Sequence, residues 1–197
     1  MCADKLTKFK NYLRTVSEIS DEEFQISAHF FQEIFYKKDD FFIKQNQVCK
    51  QIGFIIEGTF KIFYSSEEGG NITSCFCREN NFITSYKSYI LEKPSELSLQ
   101  AIENSILFVI NKESLNKLYA QSLAWQNIGR KFSEKEYIVI EKYASILNNE
   151  TAKQKYLRLI NEQPSVLTKA KIEDIATYLG VTRRTLSRIR KEIALGN

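Results

Sequence analysis

Between Ile172 and Ile193 the sequence reads IEDIATYLGVTRRTLSRIRKEI, and its apolar spacing leaves few folds open. Ile172, Ile175, Leu179, Val181, Leu186 and Ile189 recur at helical intervals on both sides of a single glycine, Gly180. Small Ala176 falls where two crossing helices come closest, and Gly180 supplies the left-handed backbone that a tight corner needs. The pattern predicts a helix-turn-helix. Its apolar residues join the pair, Thr182 caps the second helix, and Arg183, Arg184, Ser187, Arg188 and Lys191 take the outward side.

That outward charge stands against the balance of the rest of the chain. Residues 151–197 hold ten Lys/Arg against four Asp/Glu, or +6, whereas residues 1–150 hold 18 against 20, or −2. Such asymmetry implies a polyanionic partner met by the C-terminal end. Double-stranded DNA fits the motif: the start of the second helix enters the major groove, where an arginine fork bonds both acceptors of a guanine. Lysine offers a point charge to phosphate instead, and Lys169 and Lys171, just ahead of the motif, are candidate phosphate contacts with Arg190 and Lys191. A solvated basic helix would explain the charge by itself, but not its coincidence with Ala176, Gly180 and the apolar set.

Upstream, the periodicity changes three times. Residues 4–38 carry apolar positions at helical spacing (Leu6, Phe9, Leu13, then Phe24, Ile26, Phe30, Phe31), and SDEE at Ser20 to Glu23 offers an N-cap with an acidic first turn. From Phe41 to Ile110 short β-branched and aromatic runs follow: FFIK, IGFIIEGTFKIFYSS, ITSCFCR and LSLQAIENSILFVI. Strands of that length and spacing predict a barrel or sandwich, with a hairpin turn at EEGGN, Glu67 to Asn71.

From Lys112 to about Asn148 the pattern is helical again, and Leu118, Trp125, Phe132, Val139 and Ile146 stand at successive sevens. The seam predicts one long helix, with a second copy of itself as the economical partner and a twofold dimer as the result. The alternative is a seam that packs on its own chain or breaks near Gly129. A further helix from Thr151 to Glu162 is closed by Pro164. The resulting division is a β-roll with a helical lead-in (1–111), a dimerisation helix (112–148) and a helix-turn-helix domain (149–197), an α+β chain.

A β-roll, a long dimer helix and a helix-turn-helix, in this order, resemble the Crp/Fnr family of transcription regulators over nearly the full length. FIIEGTFKIFY at Phe54 to Tyr64 is similar to the family's glycine-centred strand pair, and VTRRTLSRIR at Val181 to Arg190 to its recognition helix. YLGVTRRTLSRIRKEI looks like the branch found in Bacteroidetes, whose members often end shortly after that helix. The resemblance implies a double-stranded β-helix sensor domain, a homodimer, an inverted-repeat operator and RNA polymerase as a candidate partner. It puts Arg183, Arg184 and Arg188 where the family's base-reading residues lie. Arg184 replaces the glutamate of cyclic-AMP-responsive members, so a donor stands where an acceptor did and a different operator is expected. Only Ala194 to Asn197 follow the helix, so the wing of longer relatives is expected to be truncated.

The sensor half departs from the family pattern. After Phe82 and Ile83, cyclic-nucleotide-binding relatives carry Gly-Glu and later Arg-Ser; here Thr84, Ser85 and Tyr86 follow, and Ser95 and Glu96 stand at the arginine pair. These five residues are the effector-pocket candidates. The phosphate clamp is missing and Glu96 repels phosphate, so cyclic AMP is not expected to bind; another small-molecule effector, or none, stays open.

Neither metal nor cofactor is expected. His29 is the only histidine, too few for a β-roll metalloenzyme. Of the cysteines, Cys2 stands alone at the N-terminus, Cys49 reads as core, and Cys75 and Cys77 share one strand face, as buried small residues before a redox pair. No catalytic constellation emerges. The competing reading is a small-molecule-sensing module whose C-terminal domain binds a protein. With neither an apolar leader nor a run long enough to span a bilayer, the chain is expected in the cytoplasm.

Overall fold

The lead-in folds where its caps predict. Helix α1 (Ala3–Val16) is followed by α2 (Asp21–Ala28), which starts in a capping box: the Glu23 amide donates to Ser20 Oγ and the Ser20 amide to the Glu23 carboxylate, both at 3.1 Å. The computed structural model describes residues 2–66 and 69–195, leaving aside the side chains of residues 143–148. Phe31 lies beyond the helix and β1 (Gln32–Tyr36) follows, so the helical reading of residues 4–38 ends ten residues early. The edge of a sheet overrides the helical spacing: Gln32 to Tyr36 pair antiparallel with Ser105 to Val109.

Two four-stranded sheets form the roll. One has the order β1-β8-β3-β6, with β3 at Gln51–Glu57, β6 at Phe82–Ile83 and β8 at Ser105–Asn111. The other has the order β2-β7-β4-β5, with β2 at Phe41–Ile43, β4 at Thr59–Ser66, β5 at Gly70–Arg78 and β7 at Ser98–Ala101. The long run of residues 52–66 becomes two strands because Gly58 takes a φ of 103° against Ser105, whose Oγ would lie 2.1 Å from an added Cβ. At the expected hairpin, Glu67 and Glu68 lie outside the described residues, and Ser66 stands opposite Gly70. A short α3 (Tyr86–Leu91) sits between β6 and β7.

Phenylalanines from both sheets and from α1 fill the core. Phe9 is buried against Phe24, Phe31, Phe54, Phe82 and Phe108, with ring centroids 4.7–6.4 Å apart. Burial of one such ring is worth about 1.5–3 kcal/mol, so α1 is an integral wall of the roll rather than an appendage.

The expected single helix of residues 112–148 is two helices, α4 (Lys112–Gln121) and α5 (Leu123–Asn149). Ser122 breaks the run by turning extended (φ −138°, ψ 116°), and its Oγ accepts the Trp125 amide at 3.3 Å, a local bond that competes with the helical one. At Gly129 the helix continues unbroken. Because the break re-aims the second segment, the seam faces its own roll. Leu118 and Trp125 are 2% exposed in the roll core, and Phe132 meets the Phe82 ring edge-on at 4.9 Å. Val139 is half-buried, and Ile146 lies outside the described side chains. The outer face of α5 instead shows Leu123 (71%), Tyr137 (70%), Ile138 (63%) and Ile140 (64%).

The C-terminal unit comprises α6 (Ala152–Glu162), α7 (Val166–Lys169), α8 (Ile172–Tyr178) and α9 (Arg183–Ala194). Thr151 caps α6 in a second capping box with Gln154. Among the described residues, no helix is long and apolar enough to cross a membrane.

Candidate nucleic-acid interface and effector region

The corner between α8 and α9 is built from the residues the spacing singled out. Ala176 is buried at the crossing, and its carbonyl accepts the Val181 amide at 2.9 Å. Gly180 has φ 70° with open space around a built Cβ, so it is needed for its backbone conformation and not for room. Ile175, Leu179, Leu186 and Ile189 close the small core with Tyr156, Leu159 and Val166. Thr182 Oγ1 accepts the Thr185 amide at 3.2 Å and so caps α9.

The outward face of α9 is open. Arg183, Arg184, Ser187, Arg188 and Lys191 are all exposed. Arg183 reaches Glu173 at 2.9 Å and Arg188 reaches Glu192 at 3.7 Å, both as exposed pairs that cost little to exchange for phosphate or base contacts. Arg190 is set apart: its Nε donates to the Tyr156 hydroxyl at 3.0 Å and its guanidinium lies over that ring, which fixes α9 on α6. Lys169 and Lys171 face the roll, pairing with Glu103 at 2.9 Å and Asp39 at 3.7 Å. Lys169 is held by its bond to Glu103, whereas Lys171 stays exposed in a loose pair that is cheaply exchanged for phosphate.

Those two pairs belong to an interface the sequence reading missed. Phe76 of β5 and Ile102 after β7 lie in the core of the C-terminal unit, the Phe76 ring meets that of Tyr178 tilted by 59° at 5.5 Å, and the Thr73 amide donates to Thr177 Oγ1 at 3.2 Å. At the centre Lys61 Nζ donates to Asp174 Oδ1 at 2.7 Å, with side chains 7% and 9% exposed. The available signal was a lysine inside the apolar strand run TFKIF, answered by an acid beside the inward-facing Ile175 of IEDIA.

The effector-pocket candidates do not converge on one cavity. Ser85 and Ser95 are buried, and Ser95 Oγ donates to Ser85 Oγ at 2.7 Å. Thr84 Oγ1 donates to the Gln51 carbonyl at 2.9 Å. Tyr86 is exposed at the start of α3, and exposed Glu96 accepts from Lys87 at 2.5 Å. The hydroxyls that stand at the phosphate position thus bond one another and the backbone.

Of the cysteines, Cys49 is core, while Cys2 is exposed and Cys75 and Cys77 are partly buried on β5. Hydrogen bonding between the last two lowers the Cys75 pKa and raises that of Cys77, which burial raises further. Glu136 of α5 lies close enough to raise both, and its own carboxyl pKa is raised by burial. Among the described residues no three His, Cys, Asp or Glu side chains are placed to hold a metal.

Known proteins share this architecture. Residues 33–122 match the cyclic nucleotide-binding domain family. FixK2 from Bradyrhizobium japonicum is similar at a TM-score of 0.69 and 17% identity, covering 84% of this chain and 85% of its own. The c-di-GMP-responsive global regulator CLP of Xanthomonas campestris reaches 0.69 at 15% identity, covering 90% and 93%. A Crp/Fnr-family transcriptional regulator from Eubacterium rectale reaches 0.67 at 17% identity, covering 90% and 85%. No curated protein matches the sequence. Residues 33–122 are therefore similar to the cyclic nucleotide-binding domain, and from roll to helix-turn-helix the chain has the fold of the Crp/Fnr regulators.

Proposed function

We propose that this protein is a homodimeric, sequence-specific DNA-binding transcription regulator whose effector domain does not take cyclic AMP. The observation that carries the reading is the capped helix α9, which presents Arg183, Arg184, Ser187, Arg188 and Lys191 to solvent while its other side is buried and pinned to α6 by Arg190. Arg183, Arg184 and Arg188 read bases in the major groove; Lys191 and the helix ends hold phosphates. Lys171, exposed beside Asp39, joins them as the unit stands, and Lys169 where the unit leaves the roll and frees it from Glu103.

A second copy of the chain covers the apolar outer face of α5, Leu123, Tyr137, Ile138 and Ile140, and brings two α9 helices about 34 Å apart, one turn of B-DNA. The inner seam residues Leu118 and Trp125 act as core instead. The division at 1–111, 112–148 and 149–197 is one of role, with the outer face of α5 as the dimer element, since Leu115 to Ile128 share the roll core.

Fluorescence polarisation on operator and random duplexes across a salt series tests this. Arg188→Ala is expected to cost about 1–3 kcal/mol on the operator and to relax one base position, whereas Lys191→Ala weakens all duplexes alike and flattens the salt slope by about one. Equal losses on operator and random DNA for Arg188→Ala would mean that α9 does not sit in the groove. Binding without a steep salt dependence would favour a protein partner for this unit. Cyclic AMP is expected to give no heat of binding at micromolar concentrations by calorimetry, because Ser85 and Ser95 bond each other where a clamp would stand.

A further inference from the structure

We propose that the cleft where the roll, α5 and the C-terminal unit meet binds a small phosphate ester bearing free hydroxyls, of the sugar-phosphate or nucleotide class. The cleft holds about 650 Å³ beside Arg78, Asn80, Lys135 and Ser165. An adjoining hollow of about 250 Å³ shares Arg78 and Asn81 with it and adds Lys142 and Gln163. Arg78 stands at the join of the two.

Charge sets the chemistry of the occupant. Around the cleft Glu79 is paired with Lys8 at 2.8 Å, Lys169 with Glu103 at 2.9 Å, and Arg158 with Glu150 at 3.2 Å and Glu162 at 3.7 Å. Arg78, Lys135 and Lys142 have no carboxylate within ion-pair distance among the described residues, and Lys135 rests only over the Tyr12 ring at 5.6 Å. Glu136, beside Lys135, offsets part of this charge, but three cations against that one carboxyl leave the groove net positive, which raises the local concentration of a multiply charged anion, and an arginine fork matches two phosphate oxygens. A second, independent feature lies at the far end: Gln163 Oε1 is buried without a hydrogen-bond partner. A buried acceptor left unpaired is costly, and a hydroxyl donor reaching it recovers that cost. Gln163 lines the smaller hollow together with Arg78, so a small shift of its side chain that opens Oε1, now closed to solvent, lets one molecule place a phosphate near Arg78 and a hydroxyl on Gln163.

Position gives the consequence. The walls come from β5, α5 and the segment around Gln163 to Lys169 that leads into α8, so an occupant bridges the roll and the C-terminal unit and stabilises their docking in proportion to its saturation. A role as effector site rests on the regulator reading; the binding itself does not, and it is measured without DNA.

The test is ¹⁵N-resolved NMR of the full chain, following the Arg78 Nε and Gln163 Nε2 signals, with ribose 5-phosphate as probe and inorganic phosphate and ribose as single-group controls. Ribose 5-phosphate is expected to shift both signals saturably, and to bind about tenfold more tightly than inorganic phosphate through the Gln163 contact. Gln163→Leu should bring the two ligands level. Arg78→Ala with Lys135→Ala should weaken both ligands by about tenfold or more, with Lys142→Ala, an exposed position, as the milder variant should the double change unfold the chain. Arg188→Ala, on the reading helix, should leave binding unchanged. The proposal is overturned by the absence of a saturable shift up to about 10 mM probe. It is equally overturned by loss of binding in Arg188→Ala, which would place the anion on α9.

Discussion

Replacing Lys61 by Met tests whether the C-terminal unit is held to the roll by a charge pair or by packing alone. Lys61 and Asp174 are 7% and 9% exposed and 2.7 Å apart, so removing the cation leaves a buried carboxylate without its charge partner. Breaking such a pair from one side costs about 3–5 kcal/mol, against about 0.2–1 kcal/mol for an exposed pair. At 1.4 kcal/mol per decade, that weakens docking by between about a hundredfold and a few thousandfold. Trp125 lies in the roll core and reports the roll by fluorescence, whereas far-UV circular dichroism follows the helices. Urea unfolding at fixed protein concentration should show coincident transitions in the wild type. In Lys61→Met an early helical transition should separate from the tryptophan signal. Lys61→Met with Asp174→Leu removes both charges and should recover most of the loss, as matched apolar replacements of buried pairs do. A cost below about 1 kcal/mol for Lys61→Met, or a double variant as unstable as the single one, would refute the argument.

Two further outcomes follow from burial. Tyr137→Glu with Ile138→Glu should give monomers in sedimentation at micromolar concentration with the roll intact, whereas Trp125→Glu should unfold the roll, because the first pair lies on the outer face of α5 and Trp125 in the core; a dimer that survives the outer pair would place the second copy elsewhere. In spectrophotometric titration Tyr36 and Tyr89 should ionise last, since burial pushes each up to about 12. Because the folded state then holds protons that the unfolded state has released, their contribution is fully present below the unfolded value near 10 and is lost as pH rises through 12. Stability that stayed flat between those limits would show that both hydroxyls reach water.

The C-terminal motif was legible because its constraints are local. Ala176, Gly180 and Thr182 act through contacts within twelve residues, and each performs the role its chemistry suggested. The strands from β2 onward were legible as short β-branched and aromatic runs, with the separation of β3 from β4 at Gly58 given by the resemblance, whereas β1 at Gln32–Tyr36 read as helix. The seam was not. Leu118, Trp125, Phe132 and Val139 keep a true spacing of seven, but spacing fixes only that they share a stripe, not what the stripe meets. A single extended residue, Ser122, turned it onto the roll.

The docking of the unit on the roll shows what a linear reading leaves out. Lys61 and Asp174 are 113 positions apart, and neither is unusual within its own element. Their meaning arises from the pleat of β4, which aims Lys61 away from the roll interior, and from the turn of α8 that puts Asp174 beside Ile175 on the inward side. The same placement reassigns Lys169 and Lys171, which composition had counted toward a nucleic-acid partner, to Glu103 and Asp39 of the roll. Net charge therefore overstates the cationic surface offered to DNA while the unit is docked. If the unit leaves the roll to bind, Lys169 is released from Glu103 as a further phosphate contact, and the salt slope of DNA binding reports the change: about one unit steeper for an undocked unit than for a docked one.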